Sequence, residues 1–305
     1  MSSSTRISQA FDHAPILPLS PDSRYILLSD CHRGIGNAND NFLKNETLYT
    51  AALDFYFRRG FTCIELGDGD ELWENRSIRK IKEMHKKSFD ILARYYEAGR
   101  LYMLYGNHDV VKKDHSFREK HLCTYYCDRG LCKRPLFPGI TFHAGIILEP
   151  TMPDFGGESE NLPAGKEIYL LHGHQADPLN STFWYLSRFL VRYVWKPLEK
   201  LGIPDPTSAA KNNHRKKRSE KILTQWAAEN GKILIAGHTH HPMIGTPGSP
   251  YCNTGCCIHP GSVTGIEIED MCMTLVKWSV GMHPDMTMYA MREVMGKTVC
   301  IMDYL

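Results

Sequence analysis

RYILLSDCH, residues 24–32, runs from a short apolar stretch straight into an aspartate and a histidine two positions apart. RYILLS (24–29) reads as a buried strand, and Asp30 and His32 follow where it ends. The same arrangement recurs four times. FTCIEL (61–66) leads into GDGDELW with Asp68, and RLYMLY (100–105) leads into GNHD with Asn107, His108 and Asp109. EIYLL (167–171) leads into HGH with His172, and KILIA (232–236) leads into GHTH with His238 and His240. Ligands of α/β folds bind at the carboxyl ends of strands, so these residues are expected to converge on one edge. Glycines at 67, 106, 173 and 237 let the chain turn sharply there.

The segments between these runs set the fold class. Residues 45–59 and 77–99 carry apolar side chains at helical spacing, and GITFHAGIIL (139–148) reads as a further strand. SVTGIEIE and CMTLVKWSV add strand-like segments after KILIA. Strand–helix–strand units followed by β-rich chain predict an α/β sandwich. The 305 residues are read as one domain, 1–305, with a helical insertion at 178–230. The insertion opens with Phe183, Trp184, Leu186, Phe189, Leu190, Tyr193 and Trp195 and continues, past a Pro-rich break, into the basic run KNNHRKKRSEK.

Composition is that of an ordinary soluble protein, with 42% hydrophobic and 23% charged residues. A net charge of +2 gives no global sign of a nucleic-acid or membrane partner, so charge has to be read locally. The first twenty residues lack the apolar core of a secretory signal, and a cytoplasmic location is expected. The ten cysteines are then expected to be reduced thiols. Cys123, Cys127 and Cys132 form one cluster and Cys252, Cys256 and Cys257 another, and neither has the Cys-x-x-Cys spacing of a zinc knuckle.

Taken together, the five strand-end blocks resemble those of the calcineurin-type metallophosphoesterases: D-x-H, G-D-x-x-[DE], G-N-H-[DE], H and G-H-x-H, in that order. The resemblance implies a four-layer α-β-β-α sandwich, with residues 178–230 as a helical lid. It implies two divalent metal ions, one held by Asp30, His32 and His240 and the other by Asn107, His172 and His238, with Asp68 bridging. It also implies that His108 is the catalytic histidine, oriented by Asp109. Carboxylate, imidazole and amide donors together suit Mn²⁺ first, with Fe, Zn²⁺ and Co²⁺ as alternatives. A shared carboxylate offsets the repulsion of two cations, and such a pair can clamp a phosphoryl group and acidify water.

Several neighbours have weaker assignments. Glu71 fills the last position of its block and is read as holding a metal-bound histidine. Arg33, His174, Arg188 and Arg192 are candidate substrate contacts, and Asp177 a candidate site-lining residue. Cys31 is read as a packing residue, and His241, out of step with His238 and His240, as rim or structure. HGHQAD lacks the spacing of the metallo-β-lactamase motif, whose scheme has no place for the other blocks.

GDGDELW and HGHQAD further resemble the branch containing UDP-2,3-diacylglucosamine pyrophosphohydrolases. The activity that follows is hydrolysis of a phosphoester or pyrophosphate bond in a small, nucleotide-linked or lipid-linked substrate. Arg188, Arg192, Lys196 and the basic residues 214–218 beside exposed aromatic groups would suit an anionic amphiphile or a membrane surface, through 183–218. A nuclease or cyclic-nucleotide phosphodiesterase stays open, because basic runs also follow nucleic-acid backbones. A non-enzymatic metal-binding scaffold of the same fold stays open too. The oligomeric state is not legible in the sequence.

Overall fold

A computed structural model of the chain describes residues 2–126, 132–151, 166–195 and 212–304. Two sheets lie face to face. The first contains, from edge to edge, β14 (Met288–Val294), β13 (Cys272–Met282), β12 (Ser262–Glu269), β2 (Tyr25–Leu28), β3 (Thr62–Glu65), β4 (Leu101–Leu104) and β7 (Phe142–His143), with β15 (Val299–Cys300) paired to β13. The second contains β1 (Ile16–Leu19), β8 (Gly145–Pro150), β9 (Ile168–Leu171), β10 (Ile233–Ala236) and β11 (Tyr251–Asn253). A small hairpin, β5 (Thr124–Tyr126) and β6 (Lys133–Pro135), stands apart.

The apolar runs do not alternate because their strands are buried on both faces. In β2, Leu27 joins Ile64, Leu104, Ile146, Leu170 and Ile235 between the sheets. Its neighbours Ile26 and Leu28 point the other way, toward two helices, α2 (Glu46–Arg58) and α4 (Lys86–Glu97). Each such side chain contributes about 1.5–3 kcal/mol on burial. On the far side α1 (Ser3–Gln9) and the helix Asn213–Asn230 cover the second sheet through Ile7, Leu223, Trp226 and Ala227. Helix, sheet, sheet and helix make the four layers expected from the sequence. In the first sheet β2, β3 and β4 are parallel and adjacent, with Leu27 opposite Ile64, so their carboxyl ends lie side by side. The second sheet does the same for β9 and β10.

Three expectations are corrected. The helix predicted over 77–99 is two, α3 (Ile78–Met84) and α4, broken at His85. There the backbone leaves the helical path and the imidazole turns inward to Asp40 Oδ2 at 2.8 Å. The stretch 178–230 is not all insertion: Asn213–Asn230, with the basic residues 214–218, is the outer helical layer, because its buried face belongs to the core. The described part of the insertion holds short helices at Pro178–Ser181 and Trp184–Leu190 and a π-helical turn at Val191–Trp195. Lys196 and much of the 183–218 surface lie outside the described residues, as does Cys127. Third, Cys272 and Cys300 are not free thiols; they face each other across β13 and β15 and form a disulfide. Among the described residues no helix is long and apolar enough to cross a membrane.

Candidate metal centre

The loops that follow the parallel strands lie against one another. Asp30 N donates to Gly67 O at 3.1 Å, His32 N to Asp68 O at 2.8 Å, and Gly237 N to His172 O at 3.0 Å. Space between the loops is minimal: a Cβ on Gly106 would collide with Asp68 Oδ1, and one on Gly237 with Asp30 Oδ2. Asp30, His32, Asp68, His238 and His240 all have positive φ, between 46° and 65°. They are five of the eight non-glycine residues described in that region of backbone space, which costs energy and gathers at functional sites.

Two groups of side chains converge there. In the first, His240 Nε2 lies 3.1 Å and His32 Nε2 3.7 Å from Asp30 Oδ1. In the second, Asp68, His172 and His238 bring one donor atom each within 4.8 Å of the others, and His172 Nε2 is 3.1 Å from Asp68 Oδ2. His32 Nε2 is also 3.8 Å from Asp68 Oδ2, so Asp68 stands between the groups. Backbone amides orient both carboxylates: His238 N donates to Asp30 at 2.9 Å and His108 N to Asp68 at 2.8 Å. Asn107 Oδ1 and His238 Nε2 are buried and have no hydrogen-bond partner, and the buried His172 Nε2 faces only the Asp68 carboxylate. Buried polar atoms are rarely left so, and these three are donors of the kind a divalent cation takes. The residues present therefore fit a metal pair.

Electrostatics agree with geometry. Burial alone would raise the Asp30 carboxyl, but His240 and His172 outweigh it and hold it well below the usual range. Asp68 is lowered in the same way against burial, by His172 and His108. Burial lowers His172 and His240, yet the facing aspartates bring both up to about 9. His238 is pushed down to about 3, by burial first and then by the neighbouring His172. His172 Nδ1 donates to Leu66 O at 2.9 Å, which fixes the tautomer that turns Nε2 into the site.

The sequence model of the calcineurin-like phosphoesterase family matches residues 23–242. The chain belongs to that family. No curated protein matches the sequence. Among solved structures, vacuolar protein sorting 29 of Cryptosporidium parvum is similar at 12% identity and a TM-score of 0.36, over 90% of this chain and 98% of that one. Vps29 of Chaetomium thermophilum is similar at 10% identity and a TM-score of 0.39, over 91% and 98%.

For this calcineurin-like phosphoesterase the structure redistributes several roles. Asp109 does not touch His108. Its carboxylate accepts from Gly106 N at 2.8 Å, Gly69 N at 3.1 Å and Lys112 Nζ at 2.7 Å. Glu71 holds the histidine instead: its oxygens lie 2.7 and 2.9 Å from His108 Nδ1, and Oε2 also takes His32 Nδ1 at 3.0 Å. Trp73 stacks on the His108 ring at 4.4 Å, a contact that only the fold reveals although Trp73 sits within GDGDELW.

Arg33 is fully buried and cannot meet substrate; Glu65 and Asp70 take all its charge-bearing nitrogens. Arg192 donates to the carbonyls of Leu72 and Trp73 at 2.8 and 2.7 Å, tying the insertion to the Glu71 loop. Arg188 lies over Trp184 and lines a cleft of about 380 Å³ with Tyr185, Phe189, Arg192 and Tyr193. His174 is buried 5.5 Å from the His172 ring, and burial and that neighbour push its pKa well down. Asp177 caps the helix Pro178–Ser181 through Leu179 N and accepts from Asn180 Nδ2 at 3.0 Å. Cys31 is buried with Sγ 3.9 Å from Glu65, and His241 sits exposed at the rim, 3.1 Å from Glu220. Ser29 and Thr254, 2.7 Å apart beside Asp30, carry no motif signal in the sequence.

Proposed function

We propose that the protein is a binuclear metal-dependent hydrolase of phosphoester or pyrophosphate bonds. The observation that carries this reading is the pair of unpartnered buried donors, Asn107 Oδ1 and His238 Nε2, beside His172 Nε2 and the Asp68 carboxylate. Asp30, His32 and His240 would hold one divalent ion, Asn107, His172 and His238 the other, and Asp68 both. The mixed oxygen and nitrogen donors favour Mn²⁺, with Fe, Zn²⁺ and Co²⁺ as alternatives. Bound there, the ions would supply Lewis acidity toward phosphate oxygens and an acidified water.

The chain's own residues do the rest. His108 is held through Nδ1 by Glu71, which leaves Nε2 for the substrate. Glu71 and Asp68 outweigh the lowering effect of burial and raise the His108 pKa, which favours the protonated form that can donate to a leaving-group oxygen. Asp30 and Asp68 stay ionised, and the neutral His238 offers a lone pair. Beside this centre the insertion exposes Phe183, Tyr185, Leu186, Phe189 and Tyr193 next to Arg188 and Arg192. An apolar face with cations favours a substrate that joins phosphate to an aromatic or acyl group, as the lipid-linked sugar nucleotides do.

The test is a panel of phosphomonoesters, phosphodiesters and nucleotide diphosphates with Mn²⁺, Zn²⁺, Co²⁺ and Fe²⁺, alongside metal analysis. Turnover of single- or double-stranded nucleic acid alone would replace the small-substrate reading. Stoichiometric metal with no turnover on any substrate would make the protein a scaffold.

A further inference from the structure

Five charged side chains lie buried beneath the metal centre, away from any substrate: Arg33, Glu65, Asp70, Asp109 and Lys112. They come from three neighbouring segments, the loop after β2, the end of β3 with its loop, and the loop after β4. Lys112 is at their middle. Its ammonium lies 2.7 Å from Asp70 Oδ2 and 2.7 Å from Asp109 Oδ2, and over the Phe142 ring at 5.0 Å. Asp70 Oδ1 takes Arg33 Nε at 2.8 Å, and Arg33 reaches Glu65 at 2.7 and 3.0 Å. Three carboxylates thus face two cations.

The backbone joins this network to the site. Asp109 accepts from Gly69 N and Asp70 N of one loop and from Gly106 N of the other. It therefore fixes the register between the loop carrying Asp68 and Glu71 and the loop carrying Asn107 and His108. That register delivers His108 N to Asp68 Oδ1 at 2.8 Å and His108 Nδ1 to Glu71. Without the ammonium, Asp70 would keep only Arg33 and Asp109 only its backbone amides, and the two carboxylates would repel each other in a medium that cannot hydrate them.

We infer that Lys112 is a positioning residue for the metal centre: by holding Asp70 and Asp109 together it sets the spacing between the Asp68 and Asn107 loops. The consequence for metal binding rests on the hydrolase reading above. The clamp between the loops does not.

Lys112→Met keeps most of the unbranched apolar stem and removes the ammonium and its charge. Two measurements on this variant separate the ideas. Amide hydrogen exchange in the metal-free, folded protein should quicken about ten-fold or more over residues 67–71 and 106–109, while β12 exchanges as in the parent. Mn²⁺ affinity, measured by competition with a chromophoric chelator, should fall by about 10–100-fold, the usual cost of losing a residue that supports a ligand. Arg292→Met removes a partly exposed ion pair, with Glu267, on the outer part of the first sheet and should leave both readings unchanged. If Lys112→Met does not fold, Lys112→Met/Asp70→Asn relieves the unmatched charge, leaves the Asp109 carboxylate on its backbone amides, and takes its place in both measurements. Unchanged exchange in the two loops overturns the clamp, whatever the metal result. Quickened exchange with parental Mn²⁺ affinity overturns the positioning role. A parent protein that binds no Mn²⁺ overturns the hydrolase reading, and the exchange data then judge the clamp by themselves.

Discussion

Glu71 and His108 form a close side-chain pair beside the centre, with Nδ1 2.7 Å from one carboxylate oxygen and 2.9 Å from the other. The same carboxylate reaches His32, a candidate ligand, so a single acid orients a metal-site imidazole and the proton-bearing one. Burial raises the Glu71 carboxyl, but His108 and His32 outweigh it and hold it far below its ordinary value, fully ionised at neutral pH.

Glu71→Gln keeps the shape and removes the charge. Turnover should fall by about 10–100-fold, the range typical of groups that orient metal-site histidines. The negative charge of Glu71 raises the His108 pKa, so its removal should move the alkaline limb of the kcat–pH profile to lower pH. A profile unchanged in position would assign Glu71 to packing alone.

His108→Ala and Asn107→Ala should part company. Both are expected to lower turnover of an activated phosphoester, His108→Ala by about 10²–10⁴-fold for a lost acid–base group. Only Asn107→Ala should also lose metal, because its Oδ1 is one of the unpartnered buried atoms. Metal analysis after dialysis separates the two; equal metal content would remove Asn107 from the ligand set.

Loading the metal-free protein should release protons. His172 and His240 have pKa values raised to about 9, so at pH 7.5 they are protonated before a cation takes their place beside the aspartates. Calorimetric Mn²⁺ titrations in buffers of different ionisation enthalpy should show this as a buffer-dependent heat. The release should shrink as pH rises through 9. A heat independent of buffer at pH 7.5 would contradict it.

Away from the centre, His85 is fully buried between Asp40 Oδ2 at 2.8 Å and Glu46 Oε1 at 3.4 Å. Burial lowers its pKa, and the two acids outweigh that and raise it. Stability from the charged histidine is thus present below about 6.5, its unfolded value, and lost as pH rises through the raised one. Asp40 and Glu46 are lowered despite burial, chiefly by His85, so their share is present above the ordinary carboxylate range and lost on acidification. His85→Leu should cost about 3–5 kcal/mol near pH 6, because two carboxylates lose their cation. Urea unfolding at pH 6 and pH 4 should show the smaller loss at pH 4.

The sequence determined the parallel strands and the acids, amide and imidazoles that follow them. Apolar runs such as RYILLS and KILIA, buried on both faces, carry their own signal, and the residue just past each run is fixed by chain connectivity. Tertiary structure decided what those residues touch. Glu71 serves His108 while Asp109 joins two loops, because the loops after β3 and β4 cross at Gly69 and Gly106. Arg33 and Lys112 lie under the site because packing there leaves room for paired charge and none for substrate. His85 breaks a helix whose periodicity runs straight through it, because its partners come from residues 40 and 46. Local pattern records which face of an element is apolar; the partner of a buried polar group comes from a distant segment, and only folding brings the two together.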